Sequence, residues 1–256
     1  MPFLTRKLLL ASAALALSVS AALPLPAMAF DAKEKTDIEA VVRDYLIRNP
    51  EVLLEAMDAL QAKRNAEDQA AQGGAIASAG ASLFASPTGT VLGNPDGDVT
   101  IVEFFDYNCS YCKHALGDME TLIDKDSKLR VVLKEIPVLG EASVAASHVS
   151  LAFRHVAPKQ YGEFHKKLLA TKGMADADTA IGVAADFGVE EKALRDAMAL
   201  PEVEAVLAEN EKLAGLLKIN GTPSYVIGNE VVPGAIGAEG LAEKISNVRS
   251  CGKSVC

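Results

Sequence analysis

The fold is decided by the stretch VTIVEFFDYNCSYC, residues 99–112, in which an apolar strand-like run leads directly into two cysteines. The run Val99–Phe105 has the composition of a buried strand, and the cysteines open a predicted helix. A helix N-terminus offers unpaired backbone N–H groups and the positive end of the macrodipole, and both favour a thiolate at the first cysteine. The sequence therefore predicts a redox-active pair, with Cys109 as the nucleophile and Cys112, one turn further on, as the resolving thiol.

A metal site is the main alternative for two cysteines at this spacing, and a buried structural pair is another. Zinc needs about four ligands. The other cysteines are Cys251 and Cys256, and no histidine lies beside them at ligand spacing. The histidines are His114, His148, His155 and His165. The pattern favours redox chemistry, and no resident cofactor is predicted.

The N-terminus predicts the compartment. Residues 1–29 have the pattern of a secretory signal peptide, because a basic pair precedes the apolar run Leu8–Leu23 and residues 27–29 are Ala-Met-Ala, an A-x-A cleavage signal. An uncleaved anchor helix is the alternative, but the run is short and two prolines follow it. The mature chain is expected to begin at Phe30 in an oxidising compartment, most simply a bacterial periplasm.

The charge balance limits the choice of partners. The chain has 25 basic and 34 acidic residues and a formal net charge of −9. This argues against a nucleic-acid partner. The acidic residues are scattered along the chain, which is typical of a solvated surface.

The segment 31–72 predicts two amphipathic helices. Thr36 and Glu39 form a capping box for the first, and Asn49-Pro50 marks a break before the second. Two short helices cannot bury their apolar stripe between themselves, so the stripe packs either on the main domain or on a copy of itself. Residues 73–86, rich in Gly, Ala and Ser, are predicted to be a linker, although Ala and Ser also permit a helix.

The remainder of the chain predicts a mixed α/β fold. The predicted strands are Thr88–Leu92, Val99–Phe105, Leu129–Glu135, Ser224–Ile227 and Glu230–Val232. A long, Ala-rich helical region, Ala142–Leu217, separates the third strand from the fourth, and a last helix covers Ala238–Val248. A β-α-β unit, a helical insertion, a β-hairpin and a final helix are the order expected of a thioredoxin fold carrying an inserted helical domain.

Three separated motifs resemble the DsbA-like thiol-disulfide oxidoreductases, and within them the ScsC proteins, which are named for suppression of copper sensitivity. They are residues 102–112, Lys134-Glu135-Ile136-Pro137 and Gly221-Thr222-Pro223. The resemblance implies that residues 87–256 form the thioredoxin domain, with its helical insertion at about 140–217. Residues 30–72 resemble the extension that trimerises some ScsC proteins and supports isomerase activity. A monomer with these helices packed intramolecularly is the alternative.

The resemblance also implies roles for individual residues. The peptide bond before Pro223 is expected to be cis, with the loop facing the dithiol and the backbone of Thr222 bonding the substrate chain; a trans proline starting an edge strand is the alternative. Glu103 matches a buried acid that accepts the proton of Cys112, although on a half-buried strand it could face solvent.

The dipeptide between the cysteines indicates the direction of the chemistry. Ser110-Tyr111 lacks the histidine of DsbA, and Tyr111 and Thr222 resemble the corresponding residues of disulfide isomerases. This implies an isomerase or reductase linked to copper tolerance, acting on misfolded or oxidised periplasmic proteins and kept reduced by a membrane reductase of the ScsB/DsbD type. A DsbA-like dithiol oxidase and a Cu(I)-binding protein, with the metal on Cys109 and Cys112, are the alternatives.

The last two cysteines are close in sequence. A structural disulfide between Cys251 and Cys256 would tie down the C-terminal tail. A second redox centre is the alternative, although no strand-to-helix junction or proline loop accompanies this pair.

Overall fold

The computed structural model describes residues 31–86 and 91–256. The predicted signal peptide, the start at Phe30 and the first part of the strand predicted from Thr88 lie outside the described residues. Among the helices described, none is long and apolar enough to cross a membrane. The chain divides into two units, Met1–Ala59 and Leu60–Cys256.

The described part of the first unit is helical. It holds α1, Ala32–Arg48, and the start of α2, Glu51–Phe84. The N-terminal cap of α1 is Asp31 and not Thr36 as predicted: the Asp31 carboxylate accepts from the backbone N–H of Glu34, and the Glu34 carboxylate accepts from the N–H of Asp31. Aspartate caps a helix better than threonine does, and Thr36 lies inside the helix, where its hydroxyl donates to the carbonyl of Ala32.

Large apolar side chains of the first unit are exposed. None of the residues of α1 is buried. The exposed apolar side chains of this unit are Ile38, Val41, Val42, Tyr45, Ile47, Leu53, Leu54 and Met57. This face has no apolar partner among the described residues of its own unit.

The C-terminal part of α2 differs from the linker predicted for residues 73–86. It is helical to Phe84, with a kink at Gly80, and Ile76, Ala79 and Leu83 are buried. Small residues let this helix approach the sheet closely. Its two larger buried side chains, Ile76 and Leu83, both face the sheet. A segment whose composition suits a flexible spacer is therefore part of the second hydrophobic cluster.

The second unit is built on a five-stranded sheet. The strands are β1 Val91–Gly93, β2 Val99–Phe105, β3 Leu129–Glu135, β4 Ser224–Ile227 and β5 Glu230–Pro233, in the order β1-β3-β2-β4-β5. β2 and β3 are parallel and the other pairs are antiparallel. The bounds of β2, β3 and β4 coincide with the predicted ones, because apolar runs of this length between turn residues are typical of central strands.

Helices cover both faces of this sheet. α3, Ser110–Lys125, connects β2 to β3. The insertion between β3 and β4 contains α4 Glu141–Val156, a 3-10 turn Pro158–Gln160, α5 Tyr161–Leu169, α6 Ala177–Ala185, α7 Glu191–Met198 and α8 Pro201–Leu216, and α9 Gly237–Cys251 ends the fold. Ile101 and Phe105 face the large core that holds both Cys109 and Cys112, whereas Val102 and Phe104 face the cluster that includes α2. Because successive side chains of β2 point to opposite faces of the sheet, the dithiol packs on one face and α2 on the other.

Candidate active site

The dithiol lies at the N-terminus of α3. Cys109 is the N-cap residue of this helix and has an extended backbone, and its Sγ accepts the backbone N–H of Cys112 at 3.4 Å. Both cysteines are free thiols, and Cys112 is fully buried. One N–H group of the first helical turn therefore points at the sulfur that the sequence predicted as the nucleophile.

The proline loop faces this sulfur. The Thr222–Pro223 peptide bond is cis, and the Sγ of Cys109 donates to the carbonyl oxygen of Thr222 at 3.2 Å. β4 begins directly after this loop and pairs with β2. The structure thus brings together Cys109, Cys112, Thr222 and Pro223, from positions more than a hundred residues apart.

Glu103 lies in the interior and not at the surface. It is on β2, paired in register with Tyr225 of β4, and both side chains are buried. Burial raises the pKa of Glu103 to about 8. Burial also raises the pKa of the Cys112 thiol well above its ordinary value, and the nearby Glu103 carboxylate adds to that effect. The two groups interact electrostatically, so the negative charge of one favours the protonated, uncharged form of the other.

Asp106 holds the loop between β2 and α3. Its Oδ1 accepts the backbone N–H of Asn108 at 2.7 Å and the hydroxyl of Ser143 at 2.7 Å. Its Oδ2 accepts the backbone N–H of Leu139 at 3.0 Å. One buried carboxylate therefore joins the dithiol loop to the start of the helical insertion.

Two further residues flank the dithiol and reach the insertion. The side-chain amide of Asn108 donates to the carbonyl of Ala175 at 2.8 Å and accepts its N–H at 2.7 Å. The ammonium of Lys113 donates to the carbonyls of Thr171 and Gly173, both at 2.9 Å. Sequence analysis missed these residues, because nothing in the local pattern shows which distant backbone they meet.

A second buried polar cluster lies on the same side of the sheet. Glu135 Oε1 accepts the hydroxyls of Ser150 at 2.8 Å and Tyr161 at 2.9 Å. The hydroxyl of Tyr107 contacts Ser150 Oγ at 2.8 Å and His165 Nδ1 at 3.2 Å. Burial raises the pKa of Glu135 to about 7 and lowers that of His165 to about 3. The histidine is therefore neutral at neutral pH and takes part in a core network.

The tail cysteines are separate from this arrangement. Cys251 and Cys256 form a disulfide at the end of α9. Within the loop they close, the backbone N–H and the hydroxyl of Ser254 both donate to Asn229 Oδ1 on the β4–β5 turn, at 3.1 and 3.3 Å. Cys251 is at a helix C-terminus, where the macrodipole disfavours a thiolate.

Metal ligands are sparse in the part of the chain that is described. There, no group of three or more His, Cys, Asp or Glu side chains is arranged to hold a metal ion. The two free thiols remain the soft donors of the site.

Comparisons with known proteins agree with this architecture. A family model for the DSBA-like thioredoxin domain matches residues 100–246, and one for the copper resistance protein ScsC N-terminal domain matches residues 34–67. A thioredoxin-like oxidoreductase from Silicibacter pomeroyi is 40% identical, with a TM-score of 0.63, over 66% of this chain and 97% of its own.

Two further solved structures extend the likeness. Proteus mirabilis ScsC in a transitional conformation is 31% identical, with a TM-score of 0.62, over 86% of this chain and 96% of its own. A periplasmic thioredoxin-like protein from Salmonella enterica is 29% identical, with a TM-score of 0.55, over 65% of this chain and 93% of its own. The predicted thioredoxin fold with inserted helices is confirmed.

One curated relative is matched over a minor part of its own length. The Na(+)/H(+) antiporter NhaA 1 of Salinispora arenicola is 26% identical over 160 residues, which are 61% of this chain. The match spans only 24% of that protein's length.

Proposed function

The chain belongs to the DsbA-like thioredoxin-domain family and carries a ScsC N-terminal domain, and from this premise we propose that it is a disulfide isomerase or reductase working through Cys109 and Cys112. One observation carries the proposal: the Sγ of Cys109 lies at a helix N-terminus and 3.2 Å from the carbonyl of Thr222. A chain laid along this loop would have its backbone beside the nucleophilic sulfur.

The first step is attack on a substrate disulfide. The Cys109 thiolate forms a bond to one substrate sulfur, the substrate S–S bond breaks, and the second substrate sulfur leaves as a thiolate. The Cys112 N–H, which contacts Cys109 Sγ at 3.4 Å, holds the attacking sulfur in place. The backbone of Thr222, whose carbonyl lies 3.2 Å from Cys109 Sγ, would bond the substrate chain beside the nucleophile.

The second step has two outcomes. In isomerisation, another substrate thiolate attacks the mixed disulfide, releases Cys109 and leaves the enzyme reduced. In reduction, the Cys112 thiolate attacks Cys109 Sγ, the substrate leaves reduced, and a Cys109–Cys112 disulfide remains. Because burial raises the pKa of Cys112, this route needs a proton acceptor, and Glu103, with a pKa of about 8, fits that role.

The residues between the cysteines favour a role as a reductant or isomerase over a role as an oxidase. Neither Ser110 nor Tyr111 carries a positive charge, so neither stabilises the Cys109 thiolate as a cationic side chain would. A less stabilised thiolate makes a less oxidising couple. Electrons would come from a membrane reductase of the ScsB/DsbD type, and the substrates would be misfolded or oxidised proteins of the periplasm.

The predicted signal peptide and the periplasmic relative support export to the periplasm. The exposed apolar side chains of the first unit, with the ScsC N-terminal domain match, support assembly as a trimer. Copper tolerance is proposed from the same match, with Cu(I) binding by the two free thiols as the second candidate function. Titrating the reduced protein with Cu(I) tests that candidate, and an unchanged titration after Cys109→Ser would exclude the thiols as ligands.

Refolding of a scrambled multi-disulfide protein tests the main proposal. The mature protein, kept reduced, should restore activity to the scrambled protein, and Cys109→Ser should abolish this effect. The redox state of the dithiol in intact cells is the second measurement and should be reduced. A protein that is oxidised in cells and only introduces disulfides into reduced substrates would be a dithiol oxidase instead.

A further inference from the structure

The segment Thr171–Ala175, here called the flanking loop, is fixed to the residues on both sides of the dithiol. Asn108, the residue before Cys109, pairs with both backbone groups of Ala175. Lys113, the residue after Cys112, donates to the carbonyls of Thr171 and Gly173. Four side-chain hydrogen bonds therefore join this loop to the two residues that flank the dithiol.

Contacts within the loop add to its order. The hydroxyl of Thr171 donates to the carbonyl of Leu168 at 2.8 Å, and Ala175 is fully buried. Gly173 has a φ of 84°, a conformation that other residues adopt only with strain, so it turns the chain between the two sets of bonds. The backbone on each side of Met174 is therefore anchored.

Met174 is nevertheless 66% exposed. Its backbone is held through both neighbours, because Gly173 is bonded to Lys113 and Ala175 to Asn108, the residues on either side of the dithiol. Tyr111, between the two cysteines, is also 67% exposed. An unbranched, polarisable side chain that is exposed on a loop bonded to both sides of the dithiol is suited to contact varied apolar groups.

We propose that Met174 is a specificity-determining contact for the polypeptide joined to Cys109, selecting chains with an aliphatic or aromatic side chain near the reacting cysteine, and that Asn108 and Lys113 are positioning residues for it. The inference rests on the proposed thiol-disulfide exchange at Cys109. The occupant is an unfolded polypeptide, because such chains expose apolar residues beside their cysteines. A preformed contact lowers the ordering cost of binding them.

The step to be measured is a single exchange. In the Cys112→Ser protein the Cys109 thiolate attacks the peptide sulfur of a peptide–glutathione mixed disulfide. The peptide–glutathione S–S bond breaks, glutathione leaves as its thiolate, and a Cys109–peptide disulfide forms and persists because the resolving thiol is absent. The rate of trapping reports how well the peptide is bound during attack.

Two peptides that differ only in the residues next to cysteine, Leu in one and Ser in the other, provide the test in the full mature chain. The Leu peptide should be trapped about fivefold faster than the Ser peptide. Met174→Ser should bring this ratio close to one, and Met174→Leu should retain it. Lys172→Ser, at an exposed neighbouring position, is the matched control and should keep the full ratio.

The positioning role is tested with Lys113. Lys113→Met removes the ammonium group that makes two hydrogen bonds to the loop, and it should lower the Leu/Ser ratio although Met174 is present. Lys113→Arg can reach two carbonyls and should restore the ratio. A mere loss of stability would slow both peptides together and leave the ratio unchanged. Equal ratios in the Met174 protein and in Met174→Ser overturn the inference. Failure to trap either peptide in any variant overturns the proposed exchange itself.

Discussion

The charge state of Glu103 links its burial to stability. Its pKa is about 8 in the folded protein, against an ordinary value of 4.5, so the folded state holds this proton more tightly than the unfolded state does. This stabilisation is complete below pH 4.5 and is lost as pH rises from 4.5 through about 8. Glu103→Gln, which stays uncharged, should therefore be more stable than the parent at pH 8 by a few kcal/mol, and the difference should shrink towards pH 5.

Chemical denaturation of both proteins at several pH values between 5 and 8.5 measures this difference. The matched control is Glu55→Gln, at an exposed position, which should show little dependence. The buried Glu135, with a pKa of about 7, remains in all three proteins, so the difference between them isolates Glu103. A constant difference across the pH range would mean that Glu103 is ionised in the folded protein.

The tail cysteines give a second prediction at this scale. Replacing both Cys251 and Cys256 by Ser should lower the free energy of unfolding by about 2 kcal/mol and leave disulfide exchange nearly intact. The disulfide closes a short loop over Asn229 and has no part in the dithiol contacts described. Chemical denaturation measures the change in stability, and a disulfide-reduction assay measures the exchange activity. Lost exchange activity with an unchanged fold would make the tail a redox centre.

Residues with local patterns could be predicted from the sequence, and residues defined by distant contacts could not. Cys109 and Cys112 stand out because a strand, two thiols and a helix start are contiguous. The roles of Asn108 and Lys113 depend on backbone groups about sixty residues away, and amide or ammonium side chains have no periodic signal. The same explanation applies to Asp106, because its partners Leu139 and Ser143 come from the start of the insertion.

At the scale of elements, central strands were the easiest to predict. The bounds of β2 and β3 follow from apolar runs that are buried on both faces, where periodicity and length agree. The segment 73–86 was ambiguous, because its small residues suit both a spacer and a closely packed helix. Its structure depends on the sheet face that it covers, which is formed by residues far along the chain.

Lys134 of β3 fixes the end of this helix. Its ammonium donates to the carbonyls of Ser82 and Ala85 at 3.0 and 3.1 Å, and Arg130 donates to the carbonyl of Phe84 at 3.0 Å. Cations at a helix C-terminus satisfy its free carbonyls and complement its dipole. Lys134→Met should therefore lower the free energy of unfolding by about 1–3 kcal/mol, because two carbonyls lose their donor.

Urea denaturation and amide hydrogen exchange test this effect. Protection should fall in the residues from Ile76 to Leu83 more than in β2. Lys128→Met, at an exposed position near the same strand, should change stability by less than about 0.5 kcal/mol. Equal stabilities for the two variants would show that the helix end is held by its apolar contacts alone.

For the whole molecule, the exposed apolar face of the first unit predicts self-association. Val41 and Leu53 are among its members, and burying them between copies removes apolar surface from water. The mature chain should have a mass three times that of one chain at micromolar concentration, and a chain carrying both Val41→Glu and Leu53→Glu should be monomeric. Light scattering measures both masses, with Val255→Glu, at an exposed site of the second unit, as the control.

Isomerase activity should respond to the same change. A trimer surrounds a misfolded substrate with several dithiols, so the monomeric variant should lose isomerase activity and retain simple disulfide reduction. A monomeric mass for the unsubstituted mature chain would remove the basis for this proposal.

The burial of α2 determines where the catalytic fragment of this protein starts. Val102 and Phe104 on β2 share one apolar cluster with Ile76, Ala79 and Leu83 of α2 and with residues at the end of α8, so a chain that started at Ser86 would lose part of the apolar cover of this sheet face. Such a fragment is expected to be less soluble than one that starts at Leu60, which retains this part of α2. Ile76, Ala79 and Leu83 are therefore expected to tolerate substitution only as core residues do, although they stand in a segment with the composition of a spacer.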